Sequence, residues 1–226
     1  MRLGVLFSGG KDSCLALYRS QQYHSVVCLI TIISKNPESY MFHTSNIELT
    51  DTQAESAELE LIKVETSGEK EAELHDLKKA ITDAKMDFGI DGIVTGGIKS
   101  VYQTIRIQTM CHNLDLWCFN PLWLGNQIEL LNEIISEGFE VVISGVHAFP
   151  LNESLLGRKI DPKLIGELAV LEKEYDISPG GEGGEIETTV LDAPFFKKKI
   201  EILDYRISFD GNSGNLQIKK FGLVKK

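Results

Sequence analysis

The sequence predicts an α/β protein: a doubly wound parallel sheet followed by a smaller α+β domain. Three observations predict it. Short apolar runs alternate with amphipathic helical segments through the first half, the pattern of a parallel sheet covered on both faces. Glycine pairs follow two of those runs, at Gly9-Gly10 and Gly96-Gly97. After Asn120-Pro121-Leu122-Trp123 the texture changes and ends in antiparallel strand signals.

The elements follow in order. Leu3 to Phe7 reads as a buried strand and Cys14 to Tyr18 as the start of a helix. Val26 to Ile33 is a second strand; Asn46 to Leu59 is a helix with Asn46 or Thr50 as its cap. A short third strand spans Leu61 to Val64. Glu71 to Met86 places Leu74, Leu77 and Ile81 on one helical face. Ile93 to Thr95 is a fourth strand, Ile98, Val101, Tyr102 and Ile105 form the next helical stripe, and Leu116 to Phe119 is a fifth strand. A strand order of 3-2-1-4-5 sets strands one and four side by side, where ligands of open α/β sheets bind. The first domain is expected to span 1–123 and the second 124–226.

In the second half, Gln127 to Ser136 looks helical and Val141 to Ile143 extended. Asp161-Pro162 starts a helix with proline at its first position, and Leu164, Leu168, Leu171 and Tyr175 mark its face. Thr188 to Leu191 is a strand. Ile200 to Phe209 and Leu216 to Leu223 flank a turn signal, Asp210 to Gly214.

Composition narrows the function. A net charge of −10 over 226 residues argues against a broad basic surface, so stable nucleic-acid binding is not expected. No apolar stretch approaches the ~20 residues of a membrane span. Met1-Arg2-Leu3 leads straight into the first strand, so no signal peptide is expected and the expected location is cytoplasmic. Cys14, Cys28, Cys111 and Cys118 form no C-x-x-C pair, which weakens zinc and redox readings.

Ser8-Gly9-Gly10-Lys11-Asp12-Ser13 sits between the first strand and the first helix. Paired glycines let backbone approach an anion, and a helix N-terminus offers N–H groups and partial positive charge. Ser8 and Ser13 add hydroxyls, Lys11 a cation, and Asp12 a carboxylate able to hold Mg²⁺. The bland alternative is a βα turn capped by Asp12 or Ser13; six fitting residues in the right context outweigh it. G-x-x-x-x-G-K-S/T is absent, so this is not a Walker-type loop.

Pro179-Gly180-Gly181-Glu182-Gly183-Gly184-Glu185 is the second unusual segment. Its carboxylates could attract a cation, accept a proton or position ammonia; a flexible linker is the equal alternative. His43 stands evenly between site residue and loop histidine. His147 reads as structural, with His24, His75 and His112 as surface or interface histidines. Arg106 reaches either a phosphate or carboxylate, or a partner in an exposed salt bridge. Trp117 and Trp123 read as core, and Lys197 to Lys199 and Lys225-Lys226 as solvated ends.

The Ser8 to Ser13 stretch resembles the PP-loop of the ATP pyrophosphatase superfamily, whose members cleave ATP to AMP and pyrophosphate. Together with Glu182-Gly183-Gly184-Glu185 it looks like the diphthine–ammonia ligase, or diphthamide synthetase, family. Tyr40 to His43, Gly96-Gly97-Ile98, Pro121-Leu122-Trp123, Leu156-Gly157-Arg158 and Leu191 to Phe195 are similar to it as well, in a consistent order.

The resemblance implies an adenine nucleotide alpha hydrolase-like (HUP) fold. Residues 1–123 would bind ATP and residues 124–226 the substrate. It implies a ligase that uses ATP and Mg²⁺ to amidate diphthine on translation elongation factor 2, through an acyl-adenylate and ammonia. The implied catalytic residues are Lys11, Asp12, Glu182 and Glu185, with Asp12 on the metal. The implied ATP set is Ser8, Gly9, Gly10, Lys11, Asp12, Ser13, Thr31, Gly96 and Gly97. The implied substrate set is His43, Arg106, Glu182, Gly183, Gly184 and Glu185. A homodimer is compatible with this reading and a membrane partner is not.

Two positions depart from the family pattern. Gly97 stands where aspartate is frequent, removing one candidate for Mg²⁺ or ribose, and Ile186 stands where tyrosine is usual. The further C-terminal domains of longer eukaryotic relatives are not expected, and the chain resembles the compact archaeal form. The competing readings are a PP-loop enzyme adenylating tRNA or a small carboxylate, and a non-catalytic ATP-binding regulator.

Overall fold

The computed structural model describes residues 1–36 and 45–226, and in the first unit the order of its strands sets where the site can lie. The chain divides into two compact units, Met1–Trp123 and Leu124–Lys226.

The first unit is built on β1 (Arg2–Leu6), β2 (Ser25–Ser34), β3 (Glu60–Thr66), β4 (Gly92–Val94) and β5 (Trp117–Phe119). They form one parallel sheet in the order β3-β2-β1-β4-β5. The helices are α1 (Lys11–Gln21), α2 (Thr50–Ala57), α3 (Lys70–Phe88) and α4 (Val101–Asn113). Burial on both faces explains why the central strands are continuously apolar. Leu77, Ala80, Ile81 and Ala84 of α3 pack with Cys28, Ile30, Ile32 and Ile93 of the sheet, and Leu74 borders that cluster.

Three details differ from expectation. Neither Asn46 nor Thr50 caps α2: Asn46 is left-handed (φ 61°) and precedes a 3₁₀ turn, Ile47–Leu49, while Thr50 is the first residue of α2 itself. The Thr50 hydroxyl donates to the Ile47 carbonyl instead. Ile98 is buried but lies before α4, because Ser100 starts that helix by accepting the Gln103 N–H. From that start the inward positions are Thr104, Ile107, Met110 and Cys111, and Val101 and Ile105 lie on the solvent side. Trp117 is 67% exposed and not core, since β5 is an edge strand; Trp123 is half-buried.

The second unit holds α5 (Gln127–Ser136), β6 (Glu140–Val146), α6 (Pro162–Tyr175), β7 (Ile186–Asp192), β8 (Lys198–Asp210) and β9 (Ser213–Lys225). Its sheet is antiparallel, β7-β6-β9-β8. Asp161 caps α6 by accepting the Leu164 N–H at 2.7 Å, with Pro162 at the first position. Leu164, Ile165 and Leu168 are its buried face; Leu171 is half-buried and Tyr175 exposed, so the inward stripe is one turn shorter than predicted. The β8–β9 hairpin closes on two residues, Gly211 and Asn212, and its strands run longer than the turn signal suggested. Among the described residues no helix is long and apolar enough to cross a membrane.

Candidate functional site

The turn after β1 is tied by its own hydroxyls. Ser13 Oγ donates to the Gly10 carbonyl at 3.0 Å and accepts the Ser8 N–H at 3.3 Å. The two serine hydroxyls lie 3.2 Å apart, and Gly10 N–H donates to Ser8 Oγ at 3.4 Å. Among the described residues no side chain caps α1: Gly10 occupies the cap position in extended conformation. Neither Asp12 nor Ser13 occupies the cap position. An uncapped first turn presents donors and dipole to an anion.

Lys11 is buried and its Nζ lies 2.8 Å from Asp12 Oδ2. The pair places one cation and one carboxylate at the mouth of the turn. Mg²⁺ is commonly held by one or two carboxylates plus substrate phosphates, a donor set that Asp12 fits. Among the described residues no group of three His, Cys, Asp or Glu side chains could hold a metal unaided.

Gly9 has φ 75°, and a Cβ there would overlap Gln53 Oε1. Gln53, fully buried on α2, donates from Nε2 to the Gly9 carbonyl at 2.9 Å. Thr31 is also fully buried; its hydroxyl donates to the Phe7 carbonyl at 2.7 Å, bracing the residue that leads into the turn.

The other glycine pair meets this turn directly. A Cβ on Gly96 would lie 2.8 Å from Ser13 N and 2.9 Å from the Asp12 carbonyl carbon. Gly97 is looser, its N–H bonded to Thr95 Oγ1 at 3.3 Å. The structure thus brings Gly96 and residues 8–13 together, as strand order implies. On α4 the Arg106 guanidinium stacks 3.4 Å over the Tyr102 ring and donates to the Tyr102 carbonyl. His43 falls outside the described residues.

The Gly180 to Glu185 loop belongs to the second unit. Gln127 Oε1, at the head of α5, accepts from Ser178 Oγ at 2.6 Å and from Gly180 N–H at 2.8 Å. Ser178 Oγ accepts the Glu182 N–H at 3.1 Å, and Ser178 N–H donates to Glu185 Oε1 at 3.4 Å. Among the described residues Glu185 Oε2 is buried without a hydrogen-bond partner. A Cβ on Gly183 would lie 2.7–2.9 Å from the Glu185 carboxylate, so that glycine makes the hollow in which the carboxylate rests. These bonds give the loop a defined shape.

His147 follows β6. Its N–H donates to the Glu185 carbonyl, Nδ1 pairs with Ser213 Oγ at 2.8 Å, and Nε2 lies 3.6 Å from Glu187 Oε1. Cys14, Cys28 and Cys111 are buried, as small hydrophobes should be. Gln53, Gln127 and Ser178 are the residues that sequence reading missed. Only Ser178, two positions before the glycines, carried a local signal.

Comparison with known proteins identifies the family. Residues 1–117 match the diphthamide synthase N-terminal domain and residues 126–224 the diphthamide synthase C-terminal domain. The diphthine–ammonia ligase of Danio rerio is 34% identical over 221 residues, covering 89% of this chain and 86% of that protein. The Homo sapiens diphthine–ammonia ligase is 33% identical over 223 residues, covering 88% and 82%. Among solved structures, a predicted subunit of tRNA methyltransferase from Methanocaldococcus jannaschii aligns at 18% identity and TM-score 0.42, over 86% of this chain and 98% of that one. So loose a superposition adds nothing to the fold, which the strand order defines. The chain belongs to the diphthamide synthase family, and with it to the ligases that form a carbon–nitrogen bond.

Proposed function

We propose that this chain amidates diphthine on translation elongation factor 2, using ATP and ammonia to make diphthamide. The observation that carries the reading is the uncapped first turn of α1 behind Ser8 to Ser13, in a chain spanned by both diphthamide synthase domains. A carboxylate is a poor acyl donor, so its oxygen first attacks the α-phosphorus of ATP and pyrophosphate leaves. Ammonium gives up one proton; the resulting ammonia attacks the acyl carbon, loses a second, and expels AMP.

The chain's residues have distinct parts in this scheme. Ser8, Gly9, Gly10, Ser13 and the α1 N-terminus hold the departing pyrophosphate, and Lys11 adds charge where it accumulates, the logic of an oxyanion hole. Asp12 holds Mg²⁺, which supplies further charge neutralisation at the phosphates. Gly96 supports the first turn from the neighbouring strand, and Thr31 supports it from beneath. Glu182 and Glu185 attract the cations of the reaction. Trimethylammonium carries no N–H, whereas ammonium carries four, so the unpartnered Glu185 Oε2 suits ammonium and Glu182 the quaternary group. Arg106 and His43 complete the substrate set, and a translation factor as substrate places the enzyme in the cytoplasm.

The test supplies the protein with ATP, Mg²⁺, ammonium and diphthine-bearing elongation factor 2, and identifies the nucleotide product. AMP and pyrophosphate in step with amide, and only when all components are present, are expected. ADP with phosphate, or no amide, overturns the reading.

A further inference from the structure

The E-G-G-E loop has an anchor that no feature of its own segment announces. Two hydrogen bonds tie it to one side chain, and two more run on from there through Ser178. Gln127 Oε1 takes the Ser178 hydroxyl at 2.6 Å and the Gly180 N–H at 2.8 Å. Through Ser178 the same oxygen reaches both glutamates: Ser178 Oγ receives the Glu182 N–H, and Ser178 N–H reaches Glu185 Oε1. Gly180 is packed so closely on Gln127 that a Cβ would stand 2.6 Å from Oε1. Gln127 is buried, and its backbone is fixed by α5, whose N-cap Asn126 accepts the Glu129 N–H at 3.1 Å.

We infer that Gln127 is a positioning residue for the proposed amidation, setting the places of Glu182 and Glu185 through Ser178. The inference rests on the proposed role of that loop. Its physical basis is acceptor economy. Four glycines within residues 180–185 leave the loop backbone little local preference, so its shape must come from outside. One carbonyl-type oxygen has two lone pairs, and both are used here, one on a side-chain donor and one on a main-chain donor. Hydrogen-bonded chains of this kind strengthen one another in a low-dielectric setting. Without the acceptor, two donors lose their partner together, and the two carboxylates lose their common reference point.

The experiment combines steady-state amidation with hydrogen exchange of the intact chain. Gln127→Leu removes the acceptor; Gln127→Glu keeps it. Gln127→Leu is expected to lower kcat at least tenfold with KM for ATP within twofold. It should also speed exchange at Gly180 and Glu182 by a similar factor. Gln127→Glu should retain slow exchange and most of kcat. Ser178→Ala, which leaves α5 untouched, should reproduce the Leu variant. Wild-type exchange and kcat in Gln127→Leu and Ser178→Ala would overturn the inference. So would a fast-exchanging loop with undiminished kcat. Should the unaltered protein fail to amidate, the functional reading falls, while the exchange data still judge the clamp.

Discussion

Replacing Gly96 with alanine tests whether two strand ends share one nucleotide site. The added methyl would stand 2.8 Å from Ser13 N, 2.9 Å from the Asp12 carbonyl carbon and 3.1 Å from the Asp12 carbonyl oxygen. All three are backbone atoms of the first turn of α1, so no side chain can swing aside. Comfortable carbon contacts begin at about 3.5 Å, and the turn must withdraw by roughly half an ångström. Overpacking of this kind costs about 1–3 kcal/mol. Taken from ATP affinity, that is roughly a 5- to 150-fold weakening. Gly97→Ala is the control. Its Cβ would meet only Thr95 Oγ1 at 3.5 Å and Thr104 Oγ1 at 3.7 Å, and its φ is not positive. An unstrained Gly→Ala change typically stabilises by about 0.4–1 kcal/mol through the unfolded chain. Titration calorimetry with a non-hydrolysable ATP analogue and Mg²⁺ should therefore separate the two neighbours. Gly96→Ala binding within twofold of wild type would refute the shared site.

Two further outcomes follow from the same structure. Asp161→Ala removes the cap on Leu164 N–H, at a typical cost of about 1 kcal/mol. By calorimetry the second unit should melt ~4–8 °C lower, and an unchanged Tm would mean that Pro162 alone sets the helix start. Thiol reactivity gives the second. A hydrogen bond from the Cys111 thiol, with a smaller contribution from Asn120, holds the Cys118 thiol below its ordinary range. Burial pushes Cys28 up to about 12 and Cys14 upward as well. Because the thiolate is the nucleophile, limiting iodoacetamide near neutral pH should label Cys118 first; mass spectrometry finding Cys14 or Cys28 labelled first contradicts this.

Strand order was legible because it depends on features written locally: continuous apolar runs, glycine turns, and the topological preference that places ligands where strand order reverses. The start of α6 was legible for the same reason, Asp161 and Pro162 being adjacent signals. Illegible features depended on what lies opposite. On α4 the buried face includes Thr104, while Val101 and Ile105 point outward, so residue type alone misassigned the stripe. Trp117 looked like core until β5 proved to be an edge strand. Asn46 offered a cap side chain, yet its left-handed backbone places it ahead of a 3₁₀ turn.

The two glycine loops share a logic that their motifs do not show. A side-chain amide carries the same donor and acceptor as a peptide group, so a buried glutamine can serve as the missing neighbour of a loop that pairs with no strand. Gln53 uses its donor end on the Gly9 carbonyl, and Gln127 its acceptor end on the Gly180 N–H. In each case the amide oxygen sits where the glycine's Cβ would be. Gly180 does not have a positive φ, so conformational freedom does not explain its identity; the Gln127 oxygen does. Gly9 has both reasons. A glycine motif therefore records only half of a contact whose other half lies 44 residues away in one loop and 53 in the other. That separation is why the loops could be read from the chain and their clamps could not.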